Sequence, residues 1–201
     1  MSGVALSNRT RGTVSDRQIE LPRGGLGDGL VRIRPLADAD IPAMIAACDD
    51  PEIKRYTQVP SPYAAADARA WWRRSLESQA AGNGIEAVIA DSGSDAFLGT
   101  IGIRRHAVDH ARWAIGYLVA PQARNRGVAT AATRLICRFG FERLGAQRIE
   151  LTAEPQNEAS LRVAARTGFK REGLLRSYQQ VRRVRRDMVM HSLIREDMAR
   201  S

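Results

Sequence analysis

Seven consecutive residues between a strand pattern and a helical pattern could form an anion-binding site. They are Arg124, Asn125, Arg126, Gly127, Val128, Ala129 and Thr130. The small residues Gly127 and Ala129 allow a ligand to approach the backbone closely. The N–H groups from Arg126 to Thr130 would stay unpaired in the first helical turn, at the positive end of the helix dipole. A phosphate suits such a site, and Arg124 would add positive charge.

Two common phosphate-binding patterns are absent from this stretch. No Gly-Lys-Ser/Thr follows it, as a P-loop requires, and the GxGxxG spacing of dinucleotide-binding folds is missing. A tight strand-to-helix turn with solvated arginines therefore explains the spacing as well as a phosphate site does.

The neighbouring elements would hold this loop in place. A strand predicted over residues 113–119 runs into Pro121, and a helical pattern begins at Gly127. Apolar residues then recur at helical spacing and would form one buried stripe: Val128, Ala132, Leu135, Ile136 and Phe139.

Two blocks of the sequence resemble the GCN5-related N-acetyltransferase (GNAT) family. Arg124, Gly127 and Ala129 fill the fixed positions of its acyl-CoA-binding motif, Gln/Arg-x-x-Gly-x-Gly/Ala. A second block resembles the downstream segment of the family, and it comprises Asn157, Ser160 and the pair Gly168-Phe169. The resemblance covers roughly residues 31–197 and is nearest to the ribosomal-protein N-terminal acetyltransferases.

The resemblance implies an α/β fold, with a mixed, mostly antiparallel sheet whose central strands splay apart between flanking helices. Residues 30–201 would form this acyltransferase domain, and residues 1–29 read as a flexible leader or an arm in an oligomer. Sequence patterns predict strands over residues 30–36, 86–90, 96–105, 112–119, 147–152, 169–179 and 187–193, and helices after Asp40 and over 65–80 and 157–167.

The resemblance also implies how acyl-CoA would be held. A backbone N–H near Leu118 or Val119 would stabilise the developing oxyanion, and the same strand would pair with the pantetheine amides. Asn157 would bond the pantetheine arm. Ser160 would lie near the sulfur as a general acid or a CoA contact, or its hydroxyl would simply cap its own helix. Tyr117 is expected to pack.

The general base is not determined by the sequence. Many relatives carry a glutamate two residues before the Gly-Tyr pair of the central strand, but Ala114 occupies that position here. Glu150, which we take as the first candidate, Glu154 and His106 are alternatives. A water chain, or an acceptor that arrives as the neutral amine, would also serve.

Aromatic residues in the first helical region are candidates for the acceptor site. By resemblance, this region forms one wall of that site, so Tyr56, Tyr63 and Trp72 would contact substrate. Packing of the helical layer is the competing interpretation for all three.

The formal net charge of +9 comes almost wholly from arginine, because Lys54 and Lys170 are the only lysines. A basic surface favours anionic ligands, CoA phosphates included. The arginine-rich segment 182–186 reads as a solvated hairpin tip or as a patch for an acidic acceptor. It lacks the interleaved aromatics that stack on bases, so nucleic acid is not the expected partner.

Cysteine, histidine and hydropathy patterns exclude several classes. Cys48 and Cys137 lie in apolar helical patterns and are expected to be reduced core thiols. His106 and His110 lack a third ligand at metal spacing, so no metal is expected. No stretch of about 18 apolar residues occurs, and the N-terminus lacks an apolar signal core, which predicts a cytoplasmic protein.

The sequence thus predicts an acyl-CoA-dependent N-acyltransferase that moves acetyl from acetyl-CoA to a primary amine by direct transfer in a ternary complex. The acceptor would be a protein N-terminus or a small-molecule amine, and a homodimer is an open expectation for the enzyme. Two alternatives stay open: a CoA-binding regulatory protein without transferase activity, and a transferase that uses another donor such as succinyl-CoA.

Overall fold

One eight-stranded sheet organises the computed structural model, which describes residues 18–109 and 111–198. The strands in chain order are β1 (Leu26–Gly27), β2 (Val31–Arg34), β3 (Gly84–Asp91), β4 (Phe97–Arg105), β5 (Arg112–Val119), β6 (Arg148–Ala153), β7 (Lys170–Val181) and β8 (Val184–Ile194). Their spatial order is β1-β2-β3-β4-β5-β6-β8-β7. Neighbouring strands are antiparallel except β5 and β6, which run parallel.

Helices cover both faces of this sheet. They are α1 (Ile41–Cys48), α2 (Pro51–Tyr56), α3 (Ala65–Ala80), α4 (Val128–Arg143), α5 (Glu158–Arg166) and α6 (Arg195–Met198), with short 3-10 turns at Asp38–Asp40 and Pro121–Ala123. Successive strand residues point to opposite faces. Ile85 and Ile89 therefore join the core with α4, whereas Val88 and Ala90 join the core with α1 and α3.

The sheet splits between β5 and β6. Their parallel pairing covers only Arg112↔Arg148 to Ala114↔Glu150, although β5 continues to Val119 and β6 to Ala153. Beyond Ala114 the two strands diverge, which confirms the predicted mixed, mostly antiparallel sheet with splayed central strands.

The predicted flexible leader differs from the structure over residues 18–29. Ile19 is only 5% exposed and packs in the main core, and its N–H donates to the Gln79 carbonyl at 3.0 Å. β1 adds to the edge of the sheet by pairing with β2. Burial of an apolar side chain and strand pairing thus fix this portion, whereas residues 1–17 of the predicted leader lie outside the described residues.

The last hairpin also differs from the prediction. The basic loop expected over residues 181–186 is mostly strand, because β7 and β8 are joined through Arg182 and Arg183 alone. Both residues are left-handed, with φ of 48° and 65°. Two such residues match the twist of antiparallel strands and allow the shortest hairpin connection.

Within the described residues, none of the helices is both long enough and apolar enough to span a bilayer.

Candidate active site

A cavity of about 690 Å³ lies where the sheet splits. Its floor comes from both sides of the split, with Ala114, Gly116 and Leu118 on β5 and Thr152 on β6. α1 and α3, the loop after α2, and the start of α5 supply the remaining walls. The cavity therefore brings together several residues that the sequence predicted: Tyr56, Tyr63, Leu118, Glu154, Asn157 and Ser160.

The predicted phosphate loop follows β5 and leads into α4, outside the lining of this cavity. Gly127 adopts φ 79°, and no side chain caps the helix that begins after it. Asn125 is also left-handed, with φ 58°. The N–H groups of the first turn, among them those of Val128 and Ala129, have no partner one turn earlier. They can bind an anion where the helix dipole is positive.

Arg124 does not offer the free charge that the sequence predicted. Its guanidinium lies 2.6 Å from an Asp50 oxygen and 2.9 Å from a Glu52 oxygen. Asp50 in turn accepts hydrogen bonds from the N–H groups of Glu52 and Ile53, so it caps α2. Arg124 thus connects α2 to the phosphate loop. Arg126 is half-exposed and lies 3.7 Å from Asp91, so its guanidinium remains accessible to a phosphate.

Asn157 caps α5, because its Oδ1 accepts a hydrogen bond from the Ser160 N–H at 3.1 Å. Both residues line the cavity beside Tyr117. The buried Tyr117 hydroxyl has no hydrogen-bond partner among the described residues. Burial raises the pKa of Tyr117 to about 12, and the neighbouring Ser160 side chain acts in the opposite direction. The sequence predicted only packing for Tyr117, but its hydroxyl lies in the cavity beside Ser160.

Glu150 is misplaced for the role of general base. It lies outside the lining of the cavity, with its Oε1 2.8 Å from Arg148 Nε and 3.5 Å from Arg112 Nε. The pair with Arg112 joins β5 to β6 where the strands still run together, and the pair with Arg148 lies within β6. The prediction is therefore wrong in geometry, because Glu150 faces two arginines of the paired segment.

His106 also lies away from the cavity. Its Nδ1 accepts a hydrogen bond from the Val108 N–H at 3.3 Å, and its Nε2 contacts the Arg112 guanidinium. Glu154 does line the cavity, is 6% exposed and has one carboxyl oxygen without a partner in the described residues. Of the three predicted base candidates, only Glu154 reaches the site.

A second carboxylate in the cavity was missed from the sequence. Glu86 on β3 lines the cavity, and its Oε1 accepts from Arg104 Nε at 2.6 Å. Burial raises the pKa of Glu86, while Arg104 opposes that rise. Its sequence signal was one charged residue inside the apolar run from Ile85 to Ala90.

The three aromatic candidates separate in space. Tyr56 lines the cavity and donates to the Gln156 carbonyl at 3.2 Å. Tyr63 lines it too, but is 8% exposed and packs with α1 and α3. Trp72 instead lines a separate cavity of about 450 Å³, and its neighbour Trp71 faces the active site. The prediction for Trp72 is therefore wrong by one residue, which on a helix turns the side chain by about 100°.

Both cysteines are buried and free, which confirms the prediction of reduced core thiols. Burial raises the pKa of Cys48 to about 11 and raises that of Cys137 as well, so neither is a ready nucleophile at neutral pH. No group of three or more metal-ligating side chains occurs in residues 18–109 and 111–198. His110 lies outside these ranges.

Beyond Ala114 the edge of β5 is unpaired, and it lies beside the uncapped N-terminus of α4. This arrangement suits an extended ligand that carries a phosphate at one end. Residues 31–170 match the acetyltransferase (GNAT) domain family, and the chain belongs to this family of acyl-CoA-dependent enzymes. It is 29% identical over 173 residues to p20 of Bacillus licheniformis, an N-acetyltransferase described as uncharacterized; the match covers 84% of this chain and 94% of p20.

Two further relatives are informative. YdaF of Bacillus subtilis, named as a proposed ribosomal N-acetyltransferase, is 33% identical over 126 residues, which is 63% of this chain and 66% of YdaF. The structure of Mycobacterium smegmatis RimJ in complex with CoA-disulfide aligns with a TM-score of 0.76 at 26% identity, over 87% of this chain and 86% of RimJ. The chain is thus an N-acetyltransferase with an acyl-CoA co-substrate.

Proposed function

We propose that this enzyme transfers acetyl from acetyl-CoA to the N-terminal amine of a protein, by direct attack in a ternary complex. The observation that carries the proposal is the split after Ala114, which opens the edge of β5 into a cavity next to the uncapped N-terminus of α4.

The chain has a suitable contact for each part of acetyl-CoA. The N–H groups from Arg126 to Thr130 suit the pyrophosphate, with Arg126 adding charge. The free edge of β5 near Leu118 and Val119 can pair with the pantetheine amides as another strand would. Asn157 lines the same path, and its side-chain NH₂ can donate while its Oδ1 caps α5.

The transfer forms one C–N bond and breaks one C–S bond. The neutral acceptor nitrogen attacks the thioester carbonyl, and an N–H of Leu118 or Val119 donates to the oxygen on which negative charge develops. The sulfur leaves as the thiol after it receives a proton, and Ser160 and the adjacent Tyr117, which line the same cavity, are the donors that we propose. The acceptor nitrogen loses one proton to a base.

The shape of the acceptor side supports an extended peptide. The loop after α2 meets the last hairpin, where Gln58 Nε2 donates to the Gln180 carbonyl at 3.0 Å and Arg182 donates to the Val59 carbonyl at 2.9 Å. These contacts hold the loop after α2 over the cavity. The end of an extended peptide would therefore fit the cavity better than the broad surface of a folded protein. The name of YdaF points to the same acceptor class.

Thiol release from acetyl-CoA would test the acceptor. We expect turnover with short peptides that carry a free N-terminal amine, and none with the same peptides after N-acetylation. Turnover with small amines but no peptide would overturn the proposed acceptor. Saturable acetyl-CoA binding without thiol release from any amine would favour the CoA-binding protein without activity. If succinyl-CoA bound more tightly than acetyl-CoA in competition, the acyl donor would be succinyl-CoA and not acetyl-CoA.

Homodimer formation and a cytoplasmic location stay predictions from the sequence. Light scattering of the purified chain would measure its mass in solution, and a monomer at every concentration would contradict the dimer.

A further inference from the structure

We propose that Glu86 accepts the proton from the acceptor amine, in place of the carboxylate that this chain lacks at Ala114. This inference rests on the proposed N-acyl transfer and names the base for the same site. Glu86 pairs in register with Gly102 on β4, and Gly102 pairs with Gly116 on β5. Residues opposite one another in a sheet share a face, so all three belong to the cavity side.

The two glycines place no side chain of their own between Glu86 and β5. A Cβ added at Gly102 would lie 2.1 Å from Glu86 Oε2, so the carboxylate occupies the space that a side chain on β4 would fill. Strands are spaced about 5 Å apart, which puts the carboxylate roughly one strand from Gly116. The Glu86 carboxylate thereby lies close to β5, the strand on which Ala114 supplies only a methyl group.

Helix α3 fixes the backbone that carries Glu86. The strand β2 pairs with β3 only from Val88 to Asp91, so Glu86 has no strand on that side. Instead, the buried Ser75 hydroxyl accepts from the Glu86 N–H and donates to the Glu86 carbonyl, both at 3.0 Å. The base is thus held by a rigid element and not by a loop.

The charges around Glu86 suit a proton acceptor. Arg104 on β4 pairs with the carboxylate, while Asp67 and Arg74 of α3, Tyr56 of α2 and Glu154 after β6 also face the active-site cavity. Glu86 borders the second cavity as well, where the charged residues are Glu20, Arg23, Arg32 and Arg34. Burial raises the pKa of Glu86 and Arg104 limits the rise. A base whose pKa lies nearer to the working pH transfers protons more effectively. Glu154 is the rival, but it adjoins Asn157 on the other side of the split.

The effect of Glu86→Gln on stability distinguishes a catalytic role of Glu86 from a structural one. Because folding raises the pKa of Glu86, the folded state is favoured when the carboxyl is protonated, and this advantage is lost as the pH rises through the folded-state value. Ionised Glu86 therefore costs stability at neutral pH. Glu86→Gln should melt at the same temperature or higher, whereas removal of a structural ion pair should lower it.

Three variants test the proposal: Glu86→Gln, Glu154→Gln and Arg104→Gln. The readout is the pH profile of kcat/KM for thiol release from acetyl-CoA. We expect Glu86→Gln to lose about 10²- to 10⁴-fold at neutral pH, with a smaller loss at high pH, where the amine is already neutral. Arg104→Gln should move the acid limb to higher pH, because a cation beside the carboxylate is removed. Glu154→Gln tests the rival base, and its loss at neutral pH should be much smaller than that of Glu86→Gln, because the proposed proton acceptor is kept.

The proposal is overturned if Glu86→Gln keeps wild-type kcat/KM, or if Glu154→Gln shows the large loss instead. The assay uses a panel of free-amine peptides together with ethanolamine and spermidine as probes. Wild-type turnover of a small amine but no peptide overturns the peptide acceptor alone, and the Glu86 comparison then proceeds with that amine. Wild-type protein that turns over no amine overturns both.

Discussion

The carboxylate of Glu86 on β3 covers Gly102 on β4, so closely that a Cβ at Gly102 would lie 2.1 Å from Glu86 Oε2. The atom in the way is the end of a side chain, so the carboxylate would move before the backbone did. Because Gly102 on β4 has no side chain, the Glu86 carboxylate can extend from β3 towards β5.

Gly102→Ala should lower activity while the fold is kept. The new methyl group displaces the Glu86 carboxylate, and we expect kcat/KM to fall at least about tenfold, as for a misplaced general base. Gly173→Ala is the matched control, because nothing lies within 4 Å of a Cβ at that position. Steady-state kinetics and a melting curve of both variants measure the effect, and equal activity of the two would contradict it.

Glu150→Gln should leave catalysis within about twofold of wild type. The residue pairs with Arg148 and Arg112 outside the cavity, and Arg148 keeps its second partner Glu172. Glu150 is buried, so removal of its charge leaves Arg112 less compensated and stability should fall by more than for an exposed pair. Parallel kinetics and urea unfolding check this, and a large loss of kcat without unfolding would restore Glu150 as the base.

Asp50→Asn should weaken the stability of the protein at neutral pH but not in acid. Burial opposes ionisation of Asp50, yet the Arg124 guanidinium and the N–H groups of Ile53 and Glu52 together lower its pKa. A depressed folded-state pKa stabilises the fold above the ordinary aspartate pKa of about 4, and this stability is lost as the pH falls through the folded value.

Asparagine keeps the cap of α2, so this variant isolates the charge. The partly buried ion pair with Arg124 should contribute about 0.5–1 kcal/mol to the unfolding free energy. Urea unfolding at neutral pH and below pH ~4 should show a difference that shrinks in acid. A difference independent of pH would mean that the charge of Asp50 does not matter.

Ser160→Ala and Tyr117→Phe should each slow acetyl transfer without loss of acetyl-CoA binding. The cap of α5 is kept in Ser160→Ala, because Asn157 bonds the Ser160 backbone N–H. Loss of one hydroxyl contact near the sulfur corresponds to about fivefold in rate. If the hydroxyls act together, the double variant should lose less than the product of the two single losses. Independent effects that multiply fully would contradict a shared role.

The conformations of Gly127 and Asn157 could be predicted from the sequence, because they depend on the backbone of neighbouring residues. The left-handed Gly127 before α4 and the cap of α5 at Asn157 are set within a few residues of the chain. Alternation of apolar residues likewise gave the strands that form the sheet. Such features predicted the strands and the turn before α4, whereas the split between the central strands and the phosphate-binding role of the loop were implied by the resemblance to the acetyltransferase family.

The roles of ionisable residues were not readable, because they depend on contacts between distant segments. Arg124 meets Asp50 across 74 positions of the chain, and Glu86 reaches the cavity only because Gly102 lies opposite it. Glu150 looked similar in sequence but faces two arginines. Trp71 and Trp72 are adjacent, so a helix rotation that the sequence left open decides which one lines the active-site cavity.

Calorimetric titration with acetyl-CoA tests the central claim, that the N-terminus of α4 holds the phosphate of the co-substrate. Gly127→Asp places a carboxylate in that site, and Gly145→Asp is its control, since both glycines are left-handed, with φ of 79° and 71°. A side chain is strained at either left-handed position, so Gly145→Asp controls for any loss of stability. We predict saturable binding that Gly127→Asp weakens at least about tenfold by repulsion of the phosphate, with no change in Gly145→Asp. Absent binding by the wild type, or equal binding by both variants, would contradict the account.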